Sequence, residues 1–591
     1  MFFSELTKSL QKAVAKVTGE STDNIQITEA TEKTFGDYST NVALLLAKPL
    51  KKNPRELAEE IIKALAKGKL IEKTEIAGPG FINFWLKDQV FAKAFEKLYK
   101  KVEQKKYGKL KIGKGKISIT DTSNPNVAKP MGVHHLLATI IGQVVNHLIK
   151  TCGYKLIKDN YLGDWGTQFG KLIVAIRKWG NMETIKKDPI PELLKLYIQF
   201  HNEAEKHPEL EDEGRAEFKK LEDGHEENRK TWEWIRKISL GEFKKIWDRL
   251  GVSFDMIHGE GYYEDKMPTV LEEGLRKGIM VKGEKGSLII SMNDPNLPPC
   301  IVQKSDGATT YATRDLARIK DWKETYHADI GVVLCDIAQK LHHDQVNEAA
   351  DKLGWNTGES VRVHFGRMSF PEGAMSTRKG NVVMLEDVLD EGEKRALEKI
   401  EEHKSELPSE EKKELARKMG IGAIKYNILS QNRFKNYTFD WDQMLSFEGN
   451  SAPYLQYAYT RTQSVVRKAP LPNPLLKERG QNTLEKKDAR IPSPSGGGLG
   501  RGLETEEKSL IKKLLNYEDT IEQSLKQYKP NLLCTYLFGL AQCFSHFYNN
   551  LRVLDAETEE KKSLRLCLVV ATGYVLKHGL NLLGIEVPER M

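Results

Sequence analysis

The chain has 591 residues, a formal net charge of +8, 39% apolar and 29% charged residues. That length exceeds a single core, so two to four domains are expected, and the modest basic excess permits nucleic-acid binding without demanding it. No run of eighteen apolar residues occurs, no small-residue cleavage site follows MFFSELTKSLQKAV, and the six cysteines show neither CxxC nor regular spacing. No membrane span, secretory signal or disulfide framework is therefore expected, and a reducing, cytoplasmic setting is. Nor does any HExxH or Cys/His cluster suggest zinc.

In chain order, helical periodicity runs through Leu6–Val17 and Leu57–Leu65. FGDYSTNVALLLAK and IAGPGFINFWL interrupt it, the second with a Gly-Pro-Gly turn leading into a strand. These features predict an α+β module over 1–110. A lysine-rich bridge from Lys100 to Lys116 follows, either a solvated linker or a source of phosphate contacts.

The stretch from 116 to 170 carries the strongest pattern. Ile117 and Ile119 alternate with Ser118 and Thr120, the period of a strand. A loop broken by Pro125 and Pro130 leads into apolar pairs at Leu136/Leu137, Ile140/Ile141, Val144/Val145 and Leu148/Ile149, one face of a helix. Gly153 sits where a helix terminates, and Tyr154–Tyr161 reads as a second strand. Strand, helix and strand within fifty residues make a βαβ unit and a parallel sheet, whose ligand crevice lies beyond the strand C-termini. The loop has no GxxxxGK[ST] and no GxGxxG. Instead Lys129, His134 and His135 crowd the helix N-terminus, three nitrogen donors suited to a polyphosphate; a solvated basic loop with a capping histidine is the plainer alternative.

From about 175 to 300 a charged helical insertion is expected, with Trp232, Ile235, Ile238, Phe243, Ile246 and Trp247 as its buried faces rather than base-stacking platforms. The nucleotide fold is expected to resume near Ile301. Tyr311 and Asp315 then share one side of a helix start. DIGVVLCDIAQKLHHDQV supplies another strand and helix, and MSTRKGN reads as a polar, basic loop. Beyond about 400 the pattern is helical, apart from a Pro/Gly/Ser-rich segment at 469–502 expected to be a disordered insertion.

NPNVAKPMGVHHL and NYLGDWGTQFG together resemble the signature of class I arginyl-tRNA synthetases, and the N-terminal phrases, MSTRKGN and the helical C-terminus resemble further parts of that family in the same order. The resemblance implies a multidomain α/β protein. Its parts are an α+β tRNA-contacting domain at 1–110, a Rossmann-like catalytic domain at 111–400 with the helical insertion, and an all-α anticodon-binding domain at 401–591. It implies ATP with Mg²⁺, L-arginine and tRNA(Arg) as ligands, a monomer, and no membrane partner. Carried over residue by residue, the arginine-binding set is Asp121, Asn124, Asn126, His135, Tyr311, Asp315 and Gln339. Asp315 is expected to face the guanidinium and Asp121 the α-ammonium. The ATP set is Lys129, Gly132, His134, His135, Met375, Ser376, Thr377, Arg378 and Lys379. Lys129, His134, His135, Arg378 and Lys379 supply the catalytic cations, while Tyr454, Tyr457 and Met591 meet tRNA.

The chain departs from the family pattern. Gly132 stands where the family has its first histidine, and His134 where it has glycine. Thr377 stands where the KMSKS loop has a lysine, and in degenerate members the lysine before the histidine element is thought to substitute, here Lys129. A noncatalytic tRNA-binding paralogue and a different ATP-dependent nucleotidyl-transfer enzyme are the alternatives. The helical C-terminus argues against the second.

Overall fold

The computed structural model describes the chain except residues 1, 21–24, 31–32, 66–67, 69, 284–285, 357, 370–383, 404–406 and 470–501. The described residues form two compact units.

The first unit comprises Met1–Tyr107, Arg461–Tyr517 and Gly539–Val575. Its antiparallel sheet has the order β1-β2-β4-β3, from β1 (Ile27–Glu29), β2 (Tyr38–Thr40), β3 (Ile71–Ala77) and β4 (Phe81–Leu86). Helices α1 (Phe2–Thr18), α2 (Val42–Leu50), α3 (Pro54–Ala64) and α4 (Asp88–Glu103) accompany it. Asn53 caps α3 by accepting from Arg55 and Glu56 N–H, with Pro54 at the first helical position, where its missing donor costs nothing. The lysine bridge is largely exposed, Lys101, Lys105, Lys106, Lys109, Lys111 and Lys114 all facing solvent.

The second unit comprises Gly108–Thr460, Glu518–Phe538 and Leu576–Met591. It opens with the expected βαβ: β5 (Ile117–Asp121), α5 (Val133–Thr151) and β6 (Lys155–Asp159). β5 and β6 pair in parallel, Ile117 opposite Lys155 and Asp121 opposite Asp159. Fifteen of the nineteen α5 residues are buried, so this helix is apolar well beyond one face and lies inside the fold.

The insertion supplies α6 (Thr167–Trp179), α7 (Met182–Lys187), α8 (Pro189–Ala204), α9 (Glu209–Glu222), α10 (Glu226–Leu250) and α11 (Met267–Arg276). It is not wholly helical. β7 (Val281–Lys282), β8 (Leu288–Ile290) and β9 (Cys300–Gln303) form a small antiparallel sheet. Ile301 therefore belongs to that sheet, and the parallel sheet resumes only after α12 (Tyr311–Glu324), at β10 (Ile330–Asp336). After α13 (Lys340–Leu353), β11 (Glu359–Phe365) closes the order β11-β10-β5-β6. β10 is buried along almost its full length, as a strand inside a parallel sheet must be. Helices α14 (Leu385–Glu402) and α15 (Ser409–Ser430) follow.

Candidate active site

The loop between β5 and α5 is held in a costly conformation. Ser123, Asn124 and Ala128 have φ of +81°, +47° and +62°, a region that non-glycine residues rarely occupy unless their surroundings impose it. Those surroundings are polar contacts from one face of α10. Ser239 Oγ accepts from Ala128 N–H (3.1 Å), and Trp247 Nε1 donates to Ser123 Oγ (3.0 Å). The GDWG segment clasps the loop from the other side: Val127 N–H donates to Gly163 O and Gly163 N–H to Pro125 O, each at 3.1 Å. A Cβ on Gly163 would lie 2.2 Å from Asn126 Oδ1, so a side chain there would displace the Asn126 amide.

These elements enclose a cavity of about 680 Å³ at the C-terminal ends of β5 and β10. Its lining includes eight residues expected from the sequence: Asp121, Asn124, Asn126, His134, His135, Tyr311, Asp315 and Gln339. It also includes Tyr161, Glu260, Arg318, Asp336, His342 and His343, which sequence reasoning missed.

Asp121 and Asp315, expected at the α-ammonium and the guanidinium, both already hold a side chain of the protein. Arg318 spans them, donating through Nη1 to Asp121 Oδ2 and through Nη2 to Asp315 Oδ1, the latter at 2.8 Å. Nε2 of His342 lies 2.7 Å from Asp315 Oδ2. Burial alone would raise the Asp315 carboxyl, but Arg318 and His342 outweigh it and hold the group below the usual carboxylate range. Asp121, with no exposed surface, is pushed up to about 6, chiefly by burial and against the pull of Arg318. Asp315, His342 and His343 bring three ligand-type atoms within 4.8 Å of one another. Both Asp315 oxygens are engaged and the Arg318 cation is adjacent, so the trio reads as an ion-pair network rather than a cation cage.

Glu260 enters from the short 3₁₀ segment Glu260–Lys266. Its nearest cation is Arg314, at 3.7 Å. Burial, opposed by Arg314 and assisted by the neighbouring charges of Asp164 and Asp315, pushes its carboxyl up to about 7. Among the described residues, the lining thus sets four carboxylates (Asp121, Glu260, Asp315, Asp336) against one guanidinium, Arg318. Tyr311, 65% exposed, stands at the rim on the first residue of α12.

The N-terminus of α5 also lines the cavity, through His134 and His135. Gly132 is the N-cap, and its N–H donates to His135 Nδ1 at 3.1 Å. An acceptor at Nδ1 leaves the ring hydrogen on Nε2. Burial pushes His135 down to about 3, so the ring is neutral at physiological pH. His134 is exposed, its ring centroid 3.9 Å from that of His135. Lys129 is not among the lining residues; its ammonium lies over the Tyr197 ring of α8, 5.2 Å from the centroid. Gly132 is not among the lining residues either. Met375, Ser376, Thr377, Arg378 and Lys379 fall outside the described residues.

A second cavity, of about 960 Å³, is lined by Tyr457, Met591, Arg590, Phe447, His403 and Pro408 among others. It brings together two of the three expected tRNA contacts. Tyr454 instead packs edge-on against Phe538, with ring centroids 5.6 Å apart.

Three family models match stretches of the chain. Residues 97–441 match the model of class I (R) tRNA synthetase catalytic domains, 455–591 the DALR anticodon-binding domain, and 4–86 the arginyl-tRNA synthetase N-terminal domain. The arginine–tRNA ligase of Fusobacterium nucleatum is 41% identical over 588 residues, 99% of each chain. That of Clostridium perfringens is 42% identical over 92% of each. In fold, the chain is similar over its whole length to the arginyl-tRNA synthetase of Thermus thermophilus, with a TM-score of 0.79 at 22% identity. It is likewise similar to that of Plasmodium falciparum, with a TM-score of 0.78 at 24% identity. A catalytic-domain match spanning more than half of the chain, and full-length relatives above 40% identity, make the chain a member of the class I arginyl-tRNA synthetase family.

Proposed function

We propose that the chain ligates L-arginine to tRNA(Arg) in two steps. The arginine carboxylate attacks the α-phosphate of ATP–Mg²⁺, releasing pyrophosphate and leaving arginyl-adenylate. A hydroxyl of the terminal adenosine of tRNA then takes the arginyl group and releases AMP. The observation that carries this reading is the polarity of the cavity: among the described residues carboxylates outnumber cations around Glu260 and Asp315, and imidazole donors stand at the N-terminus of α5. The first group suits a guanidinium, the second a polyphosphate.

Attack at phosphorus needs alignment and charge neutralisation more than a strong base. His135, neutral and donating through Nε2, and the exposed His134 meet the phosphates. Arg378 and Lys379 are assigned the cationic charge that assists there, joined by Lys129 when it leaves the Tyr197 ring that it lies over in the structure. Arg318 does not bind substrate; it holds Asp121 and Asp315 at a fixed separation. Glu260 and Asp315 receive the guanidinium, with Tyr311 covering it. The helical C-terminal region, around Tyr457 and Met591, reads the anticodon loop. We also assign the domain division at about 110 and 400, a monomeric state and a cytoplasmic location to this chain. The six cysteines, all free, suit a reducing compartment.

The experiment is charging of bulk tRNA with each of the twenty amino acids in turn. Arginine alone should be incorporated. Charging with another amino acid, and not arginine, would refute the assignment.

A pH dependence follows from Glu260. Below about 7 its carboxyl is protonated and loses its attraction for a guanidinium. Arginine KM should therefore fall as pH rises from 6 to 8, by up to about tenfold per unit on the acid side. Glu260→Gln should flatten that profile, which also separates Glu260 from Asp121. A wild-type profile without this inflection would take Glu260 out of arginine binding.

A further inference from the structure

The GDWG segment does more than clasp the β5–α5 loop. Asp164, 1% exposed, does not line the cavity, yet it is surrounded by donors. Gly261 N–H donates to Oδ1 and Arg236 Nε to Oδ2, each at 2.9 Å. Trp232 Nε1 donates to its main-chain oxygen at 2.6 Å. Trp232 and Arg236 are four residues apart on α10, so one helical face delivers both donors. Arg236 also donates through Nη2 to Ile257 O at 2.9 Å, and Glu260 N–H donates to Leu162 O at 2.9 Å. The segment Ile257–Gly261 is therefore tied down on both sides of Glu260. A Cβ on Gly259 would lie 2.0–2.2 Å from the Asp164 carboxylate: the carboxylate occupies the space a side chain would need, and the loop wraps around it.

From this geometry we infer that Asp164 and Arg236 form a clip that sets the position of Glu260 in the cavity, which makes both of them positioning residues for recognition of the substrate guanidinium. The inference rests on Glu260 being a guanidinium partner. The clip acts in two ways. Two donors converge on Asp164 and demand two acceptor oxygens; an amide offers only one and turns its NH₂ against the other donor. The Asp164 charge also lies close enough to Glu260 to favour its protonated form.

The test is a double-mutant cycle of Asp164→Asn, Glu260→Gln and both together, read in tRNA-dependent ATP–pyrophosphate exchange. ATP KM and thermal melting serve as controls. Glu260→Gln should raise arginine KM by about thirtyfold or more, within the range of a lost charged hydrogen bond. Asp164→Asn should raise it by about tenfold, leave ATP KM unchanged, and move the inflection in the pH profile of arginine KM to lower pH. The double variant should be no worse than Glu260→Gln alone, because Asp164 acts through Glu260. Arg236→Met, at a partly exposed position, reads the clip from its other end should Asp164→Asn fail to fold, and should show the same non-additivity. If Glu260→Gln raises arginine KM while the Asp164 and Arg236 variants do not, or if their effects multiply independently, the clip is refuted and the Glu260 reading stands. If Glu260→Gln leaves arginine KM unchanged, both fall.

Discussion

Asp315→Ala should raise arginine KM by about a hundredfold, leave ATP KM within about threefold, and lower the melting temperature by a few degrees. Two effects combine. The substrate guanidinium loses a charged hydrogen-bond partner, worth roughly 1.5–3 kcal/mol. Arg318, 2% exposed, also loses one of its two carboxylates. Breaking a buried pair from one side typically costs about 3–5 kcal/mol, because the remaining charge stays buried. Here Asp121 still holds Arg318, which keeps the fold intact but lets the guanidinium swing. Asp315→Asn separates the two effects, since it preserves volume and an acceptor for Arg318 while discarding charge. It should lower the melting temperature less than Ala does and still weaken arginine. The checks are steady-state exchange kinetics and a melting curve; an unchanged arginine KM would remove Asp315 from the site.

The second large effect concerns the N-terminus of α5. Gly132→His combined with His134→Gly gives the histidine order that the family resemblance leads one to expect, and exchange should rise about tenfold or more. At present Gly132, as the N-cap, contributes only its N–H, and that N–H is spent on His135 Nδ1. His134, two residues further on, is exposed at the cavity and offers the phosphates a ring from a different direction. Adjacent helical positions differ by about 100°, so His134 cannot reproduce a donor placed at the N-cap. Loss of one preorganised donor to a developing charge costs on the order of 10²–10³ in rate, and partial compensation by His134 and Lys129 brings the expected gain down to about tenfold. Gly132 has φ −84°, which a histidine adopts without strain. A fall in exchange would mean that the chain has built its own phosphate grip around His134.

The βαβ unit was legible because β5 alternates apolar and polar residues, α5 repeats its apolar pairs at helical spacing, and β10 is a continuous apolar run bounded by turns. The antiparallel sheet of the insertion was not. Its strands are two to four residues long, too short to show a period. Within the site, eight lining residues were legible through family resemblance, but the organising side chain was not. Arg318 sits in a charged helix, where an arginine is ordinarily solvent-facing, and the partner that pulls it inside, Asp121, is 197 positions away in sequence. Glu260 lies in HGEGYYED, a stretch without helical or strand periodicity. The clip around Asp164 holds the segment that carries it. The aromatic residues of α10 were read correctly as packing residues, yet Trp232 and Trp247 also brace loops through their indole N–H groups, a role that periodicity alone does not reveal. Lys129, expected at the phosphates, lies over Tyr197 in the structure, a contact between a loop and an insertion helix some seventy residues later.

Arginine-dependent ATP–pyrophosphate exchange by the unmodified chain, run with and without tRNA and at saturating ATP–Mg²⁺, shows whether a site built around Gly132 and His134 activates arginine. Exchange with arginine that depends on tRNA is expected, slow relative to the Gly132→His/His134→Gly variant, and none with other amino acids. Tight binding of tRNA with no exchange in either form would contradict that expectation and leave a protein that keeps the synthetase fold without its chemistry.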